Sequence, residues 1–163
     1  IAIGSEDHIN LPFGNGVERM LYNKTPGALL SNLNLNVHTR GHICRAALEG
    51  IAFSFAYGME IMQQDALTLD VVRAGNDNLF RSDIFSQTVA TLIGKPIEIY
   101  NTTGAIGAAR AAGIENKSIN DYSQSVASMD FVSEVLPVKE KQAYIEAYHK
   151  WKQELTRALN NLN

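Results

Sequence analysis

Apolar and small residues recur at three- and four-residue steps from Thr39 to about Gln64. They run through Ile43, Ala46, Ala47, Gly50, Ile51, Ser54, Phe55 and Gly58, and that period predicts an amphipathic helix. Ala46, Ala47 and Gly50 leave room for a neighbouring element to approach closely. Gly50 and Gly58 each weaken an isolated helix by about 1 kcal/mol relative to alanine, so packing has to hold it. Arg45 and Glu49 stand four apart on one face, where an exposed pair contributes roughly a few tenths of a kcal/mol.

Further along, the period changes. Leu69 to Arg73 reads as a strand that runs into the turn Ala74-Gly75-Asn76-Asp77. A helix follows from about Ser82 to Ile93, with Ser82 or Asp83 placed to accept from the free amides of its first turn. Gly94 ends it and Pro96 prevents its resumption. Ile97 to Tyr100 is a second short strand, and Gly104 to Gly113 a short helix of small residues suited to contact with a sheet. Ser118 begins another helical piece, with Ser118 or Asn120 as cap, and Asp130 to Pro137 is extended. Lys139 to Leu162 reads as a long amphipathic helix. Its core stripe is Tyr144, Tyr148, Trp151 and Leu155, and its solvated face Lys150, Lys152 and Glu154. Residues 1–36, rich in Gly, Asn and Pro, read as irregular chain with room for short strands in apolar pieces such as Ile9 to Phe13, and with little that is self-supporting. The order α-β-α-β-α followed by a helical tail argues an α/β layered domain.

Composition narrows the class. The 163 residues make one domain, and 45% apolar with 19% charged residues is the balance of a soluble globular protein. A net charge of −3 without any basic block lacks the footprint of nucleic-acid binding. No apolar run approaches the ~20 residues that span a bilayer, so no membrane partner is expected. Cys44, the single cysteine, excludes an internal disulfide. It reads as a packed thiol and suits a reducing, cytoplasmic compartment. A first residue of Ile1 rather than Met reads as a fragment or a processed chain.

The candidate chemistry is sparse. His38 and His42 stand four apart, yet no third ligand lies at metal spacing, so a polar contact at the helix start outweighs zinc and no metal ligand is assigned. Ser5, Glu6, Asp7 and His8 are acid/base residue types without evident mutual geometry. The turn Gly14 to Arg19, bearing Glu18 and Arg19, reads either as a cleft wall or as a solvated loop. The turn Ala74 to Asp77 has two readings. Its amides can approach a phosphate or a nucleotide sugar, or it simply reverses the chain between strand and helix. The glycine pattern is not a P-loop, and on local residues alone the plain connection carries more weight.

A resemblance adds to this picture. His42-Ile43-Cys44-Arg45-Ala46-Ala47-Leu48-Glu49 resembles the second signature of the FGGY carbohydrate kinases, with Ala28, Leu30 and Leu33 at the spacing expected upstream and Asn32 where the family usually has Gly. Pro12-Phe13-Gly14-Asn15-Gly16-Val17-Glu18-Arg19 is similar to the family's Pro-Tyr/Phe-Leu-x-Gly-Glu-Arg loop, with Val17 as an extra residue. Val72 to Asn76 falls where the family has its Gly-rich adenosine turn, with Arg73 and Ala74 in place of glycines. Leu79-Phe80 resembles the Leu-Trp pair that follows, and Ala105-Ile106-Gly107-Ala108-Ala109 matches an Ala-x-Gly-Ala-Ala helix.

The resemblance implies an actin-like, ribonuclease-H-like fold, with this α/β chain as the C-terminal half of a two-domain sugar kinase. Residues 1–163 would be that C-terminal domain, with 1–36 an irregular leading segment and 37–163 the α/β core and C-terminal helix. ATP would lie in the cleft between domains, with Mg²⁺ on its phosphates. The family's catalytic Asp lies upstream, so no catalytic residue is assigned and the isolated domain should not phosphorylate a sugar. Carried over residue by residue, the nucleotide contacts are Ala74, Gly75, Asn76, Asn78 and Ser82. The implied partners are the missing N-terminal domain, ATP or ADP, and a sugar bound mainly by the other domain; a homodimer is allowed. Xylulose kinases are the most similar members, which implies phosphorylation of D-xylulose to xylulose 5-phosphate. The alternatives are rhamnulose, gluconate or glycerol as acceptor, or a non-catalytic actin-like module that binds nucleotide for regulation.

Overall fold

The helix predicted from Thr39 to Gln64 is α1, Arg40–Gln64, and the other elements are arranged around it. The computed structural model describes residues 1–16, 19–64, 71–113, 120, 124 and 128–162. At the start of α1 the Thr39 amide donates to His42 Nδ1 at 3.1 Å. That is one half of a capping box, with an imidazole in place of the usual Glu or Gln.

One face of α1 receives an antiparallel ribbon. Strand β1, Ile9–Phe13, pairs with β2, Gly27–Ser31, so that Ile9 lies opposite Ser31 and Phe13 opposite Gly27. Gly50 permits the contact, because a Cβ there would lie 2.3 Å from the carbonyl oxygen of Asn10. The same oxygen accepts from Trp151 Nε1 at 2.9 Å. Trp151 belongs to the long C-terminal helix α4, Gln142–Asn160. Leu11, Phe13, Leu21, Phe53, Ala56, Tyr148, Trp151 and Leu155 form the first core. The leading segment thus holds the short strands its sequence allows, and they are not self-supporting. Its strands lean on partners far away in sequence, which local composition does not record.

The second core lies between α1, a sheet and α2, Asp83–Ile93. Strands β3 (Val72–Gly75), β4 (Ile97–Tyr100) and β5 (Phe131–Val135) are ordered β3-β4-β5, the first pair parallel and the second antiparallel. Val72, Ala74, Ile97, Ile99 and Val135 pack in that core with Ala52, Phe85, Val89 and Ala90. The helix α3, Gly104–Ala112, follows β4. Ser82 caps α2, and Gly94 closes it in the left-handed region at φ 66°, both as predicted. The first strand of the sheet starts later than predicted and takes in Gly75; Leu69 and Asp70 lie outside the described residues, as does Ser118.

Three side chains stand differently from their sequence reading. Cys44 is exposed rather than packed. On a helix turning about 100° per residue it lies half a turn from Phe53, which faces the first core. Glu154, read as solvated, is 8% exposed, accepts from Ser31 Oγ at 3.0 Å and pairs with Arg157 at 2.6 Å. The Arg45–Glu49 pair is not on an exposed face. Glu49 is buried, accepts from Arg45 Nε at 2.7 Å, from the Gly4 amide and from Ser5 Oγ. Removing one partner of such a buried pair costs about 3 to 5 kcal/mol, well above the surface value.

Candidate functional site

At the end of β3 the chain passes close beneath the loop that leads into α3. A Cβ on Gly75 would lie 2.4 Å from the carbonyl oxygen of Thr102, so only glycine allows this approach. The Asn76 amide donates to the Tyr100 carbonyl at 2.7 Å and extends the β3–β4 pairing by one bond. Asp77 Oδ1 accepts from the Asn78 amide at 2.7 Å and caps a single 3-10 turn, Asn78–Arg81. Asn78 itself is left-handed at φ 49°, a conformation that Asn tolerates better than most residues. Across from this turn Thr103 caps α3, its hydroxyl accepting from the Ile106 amide at 3.3 Å.

Between the two turns lies an open concavity of about 480 Å³. It is lined by Gly75, Asp77, Asn78, Thr102, Thr103 and Gly104 from the two turns, and by the apolar side chains of Phe55, Leu79, Phe80 and Phe85. Of the five residues carried over from the resemblance, Gly75 and Asn78 line it. Ala74 packs into the second core instead. Asn76 is tied to β4 through its backbone, and the Ser82 hydroxyl accepts from the Phe85 amide as the cap of α2. Thr102, Thr103, Gly104 and Phe55 were not singled out for this site. The Thr-Thr-Gly ahead of a small-residue helix is a start signal that marks unpaired amides. Phe55 gave no such signal, because its period assigned it to a buried stripe.

The other candidate groups are held in structural roles. Gly4, Ser5, Glu6 and Asp7 all have positive φ, at 81°, 48°, 52° and 68°. Glu49 pins this left-handed turn through Gly4 and Ser5, and Asp7 pairs with Lys150. His8 Nδ1 donates to the Ser31 carbonyl at 2.8 Å, and His38 Nδ1 accepts from the Asn34 amide at 2.9 Å. In the Gly14 to Arg19 loop, Val17 and Glu18 lie outside the described residues, and Arg19 opens a 3-10 turn, Arg19–Leu21. On the sheet, Arg73 Nε and the Tyr100 hydroxyl both donate to Glu98 Oε2, at 2.9 and 2.6 Å. The Tyr100 hydrogen bond, then that of Arg73, holds the Glu98 carboxyl below its ordinary range, while Glu98 pushes the Tyr100 phenol up. Neither Arg73 nor Ala74, the two departures from the family's glycines, lines the concavity.

Residues 11–115, from β1 to just beyond α3 and including the whole concavity, match the C-terminal domain of the FGGY family of carbohydrate kinases. The chain belongs to this family. Over 124 residues it is 32% identical to a glycerol kinase of Pseudothermotoga lettingae, a match covering 74% of this chain and 25% of that relative. The fold is that of xylulose kinase from Rhodospirillum rubrum, with a TM-score of 0.75 at 20% identity over 96% of this chain and 32% of that one. It is equally that of Plasmodium falciparum glycerol kinase with ADP, at a TM-score of 0.75 and 19% identity over 95% of this chain and 31% of that one. The chain thus spans about a quarter to a third of the length of these family members. The fold is actin-like, mixed helix and sheet, and corresponds to the family's C-terminal domain. Among the described residues no helix is long and apolar enough to cross a membrane.

Proposed function

We propose that this chain supplies the nucleotide-binding half of an ATP-dependent phosphotransferase acting on a ketopentose or a small polyol. The observation that carries the reading is the concavity at the end of β3, where Gly75 lets the backbone turn under Thr102 and leaves room beside Asn78, Thr103 and Gly104. A nucleotide fits this lining, which combines backbone groups, a carboxamide and hydroxyls with aromatic rings. Gly75 and Asn78 would touch it directly. Asn76 would hold the turn on β4 and Ser82 would fix the helix behind it, while Ala74 would anchor the strand from within the core. Bound ATP would supply the γ-phosphoryl group for transfer to the acceptor hydroxyl.

Mg²⁺ would arrive with the phosphates, and no side chain of this chain is assigned to it. No catalytic carboxylate is assigned here either, so the isolated domain is expected to transfer nothing. The rest of the polypeptide is the partner that completes the cleft. ATP as substrate and a lone thiol suit a cytoplasmic setting.

D-xylulose and glycerol are the leading acceptors, the first from the motif resemblance and the second from the 32% identity to a glycerol kinase. The reading is tested by incubating the full-length gene product with ATP, Mg²⁺ and a panel containing D-xylulose, glycerol, rhamnulose and gluconate. ADP release with one acceptor is the expected result; no turnover of any acceptor would overturn it in favour of a regulatory nucleotide-binding module.

A further inference from the structure

Phe55 is the one large apolar side chain of the concavity that neither core absorbs. It is 44% exposed, although it sits midway along a helix buried on two sides. Its ring is not loose. It meets Phe85 at 5.5 Å and 87°, and Phe80 at 6.4 Å and 84°. Phe80 and Phe85 are in turn perpendicular to each other, at 5.2 Å and 82°. Edge-to-face contacts of this kind are the favoured geometry for aromatic pairs, and two of them fix the plane of the Phe55 ring while leaving it partly open. The same concavity is also lined by Gly75, Asp77, Asn78, Thr102, Thr103 and Gly104. A ligand that carries both a flat aromatic group and hydrogen-bonding polar groups matches both kinds of lining residue.

We propose that Phe55 is the base platform of this site, its open face stacking on the purine ring of the bound nucleotide. The proposal rests on the nucleotide reading of the concavity, and it adds a residue that sets preference for the base rather than affinity for the phosphates. Stacking depends on a flat π surface. Replacing Phe55 by leucine removes that surface while preserving apolar bulk, and replacing it by tryptophan enlarges it.

The test is calorimetric titration of the full-length gene product, wild type and variants, with ADP and with inorganic pyrophosphate as the base-free probe. Phe55→Leu is expected to bind ADP about tenfold more weakly and pyrophosphate as wild type does, while Phe55→Trp keeps ADP affinity. ADP affinity unchanged in Phe55→Leu, or weakened equally for ADP and pyrophosphate, would overturn the platform and leave the nucleotide reading standing. Should Phe55→Leu fail to show a native far-UV spectrum, Phe55→Trp decides, and a tenfold loss of ADP affinity there overturns the platform. If the wild type binds neither probe, the nucleotide reading itself falls and the platform with it.

Discussion

Gly50 and Gly58 lie two turns apart in the same helix and carry the same intrinsic penalty, yet their surroundings give them opposite meanings. Alanine at either position would raise helix propensity by about 1 kcal/mol. At Gly58 the nearest atom to an added Cβ is Met20 Sδ at 3.8 Å, an ordinary contact. At Gly50 it is the Asn10 carbonyl oxygen at 2.3 Å, and that oxygen also holds Trp151. Sterics outweigh propensity there, because strand β1 must move to admit the methyl group, and overpacking of this kind costs about 1 to 3 kcal/mol. Gly58→Ala is therefore expected to stabilise the domain and Gly50→Ala to destabilise it, as read by urea denaturation. Stabilisation by both substitutions would show that the approach of β1 to α1 is looser than the structure has it.

At the scale of elements, β3 and β4 are joined by more than their ladder. Arg73 and Tyr100 converge on Glu98, whose carboxyl is held below its ordinary value of 4.5. A carboxyl depressed in the folded state contributes stability above its unfolded pKa and loses it as pH falls through the folded one. Wild type is thus expected to lose stability on acidification below about pH 4.5, and Glu98→Gln to show a flatter profile there, measured by denaturation at a series of pH values. Parallel profiles would mean that the cluster adds nothing between the strands. The elements themselves were largely legible. Ser82, Gly94 and Pro96 punctuate α2 through local backbone chemistry, and the period from Thr39 onward marks α1. What stayed hidden depends on contacts distant in sequence. Leu11 and Phe13 sit among turn residues, and only α1 and α4 make them core. Glu154 reads as surface until Ser31 is brought to it. The site was half legible for the same reason. Gly75 and Asn78 belong to a turn with a recognisable shape, whereas Phe55 reaches that turn only because Phe80 and Phe85, distant from it in sequence, pack against its ring.

For the whole molecule, those two faces raise the question of cooperativity. Phe53 and Ala56 of α1 belong to the first core and Ala52 to the second, so neither core can lose its share of the helix without affecting the other. Trp151, the only tryptophan of the chain, lies in the first core against Phe13, Phe53, Tyr57 and Tyr148 and reports on that core alone. Val89, 1% exposed, lies in the second. If α1 couples the cores, unfolding is one transition, and a cavity made in the second core is felt by a probe in the first. Val89→Ala, costing about 1 to 3 kcal/mol, is then expected to lower the denaturation midpoint read by Trp151 fluorescence and that read by far-UV circular dichroism by the same amount. A fluorescence midpoint that stays in place while the dichroism midpoint falls would mean that the ribbon, α4 and their half of α1 hold together independently. In that case the concavity, which rests on the second core, could open and refold without disturbing the rest of the domain.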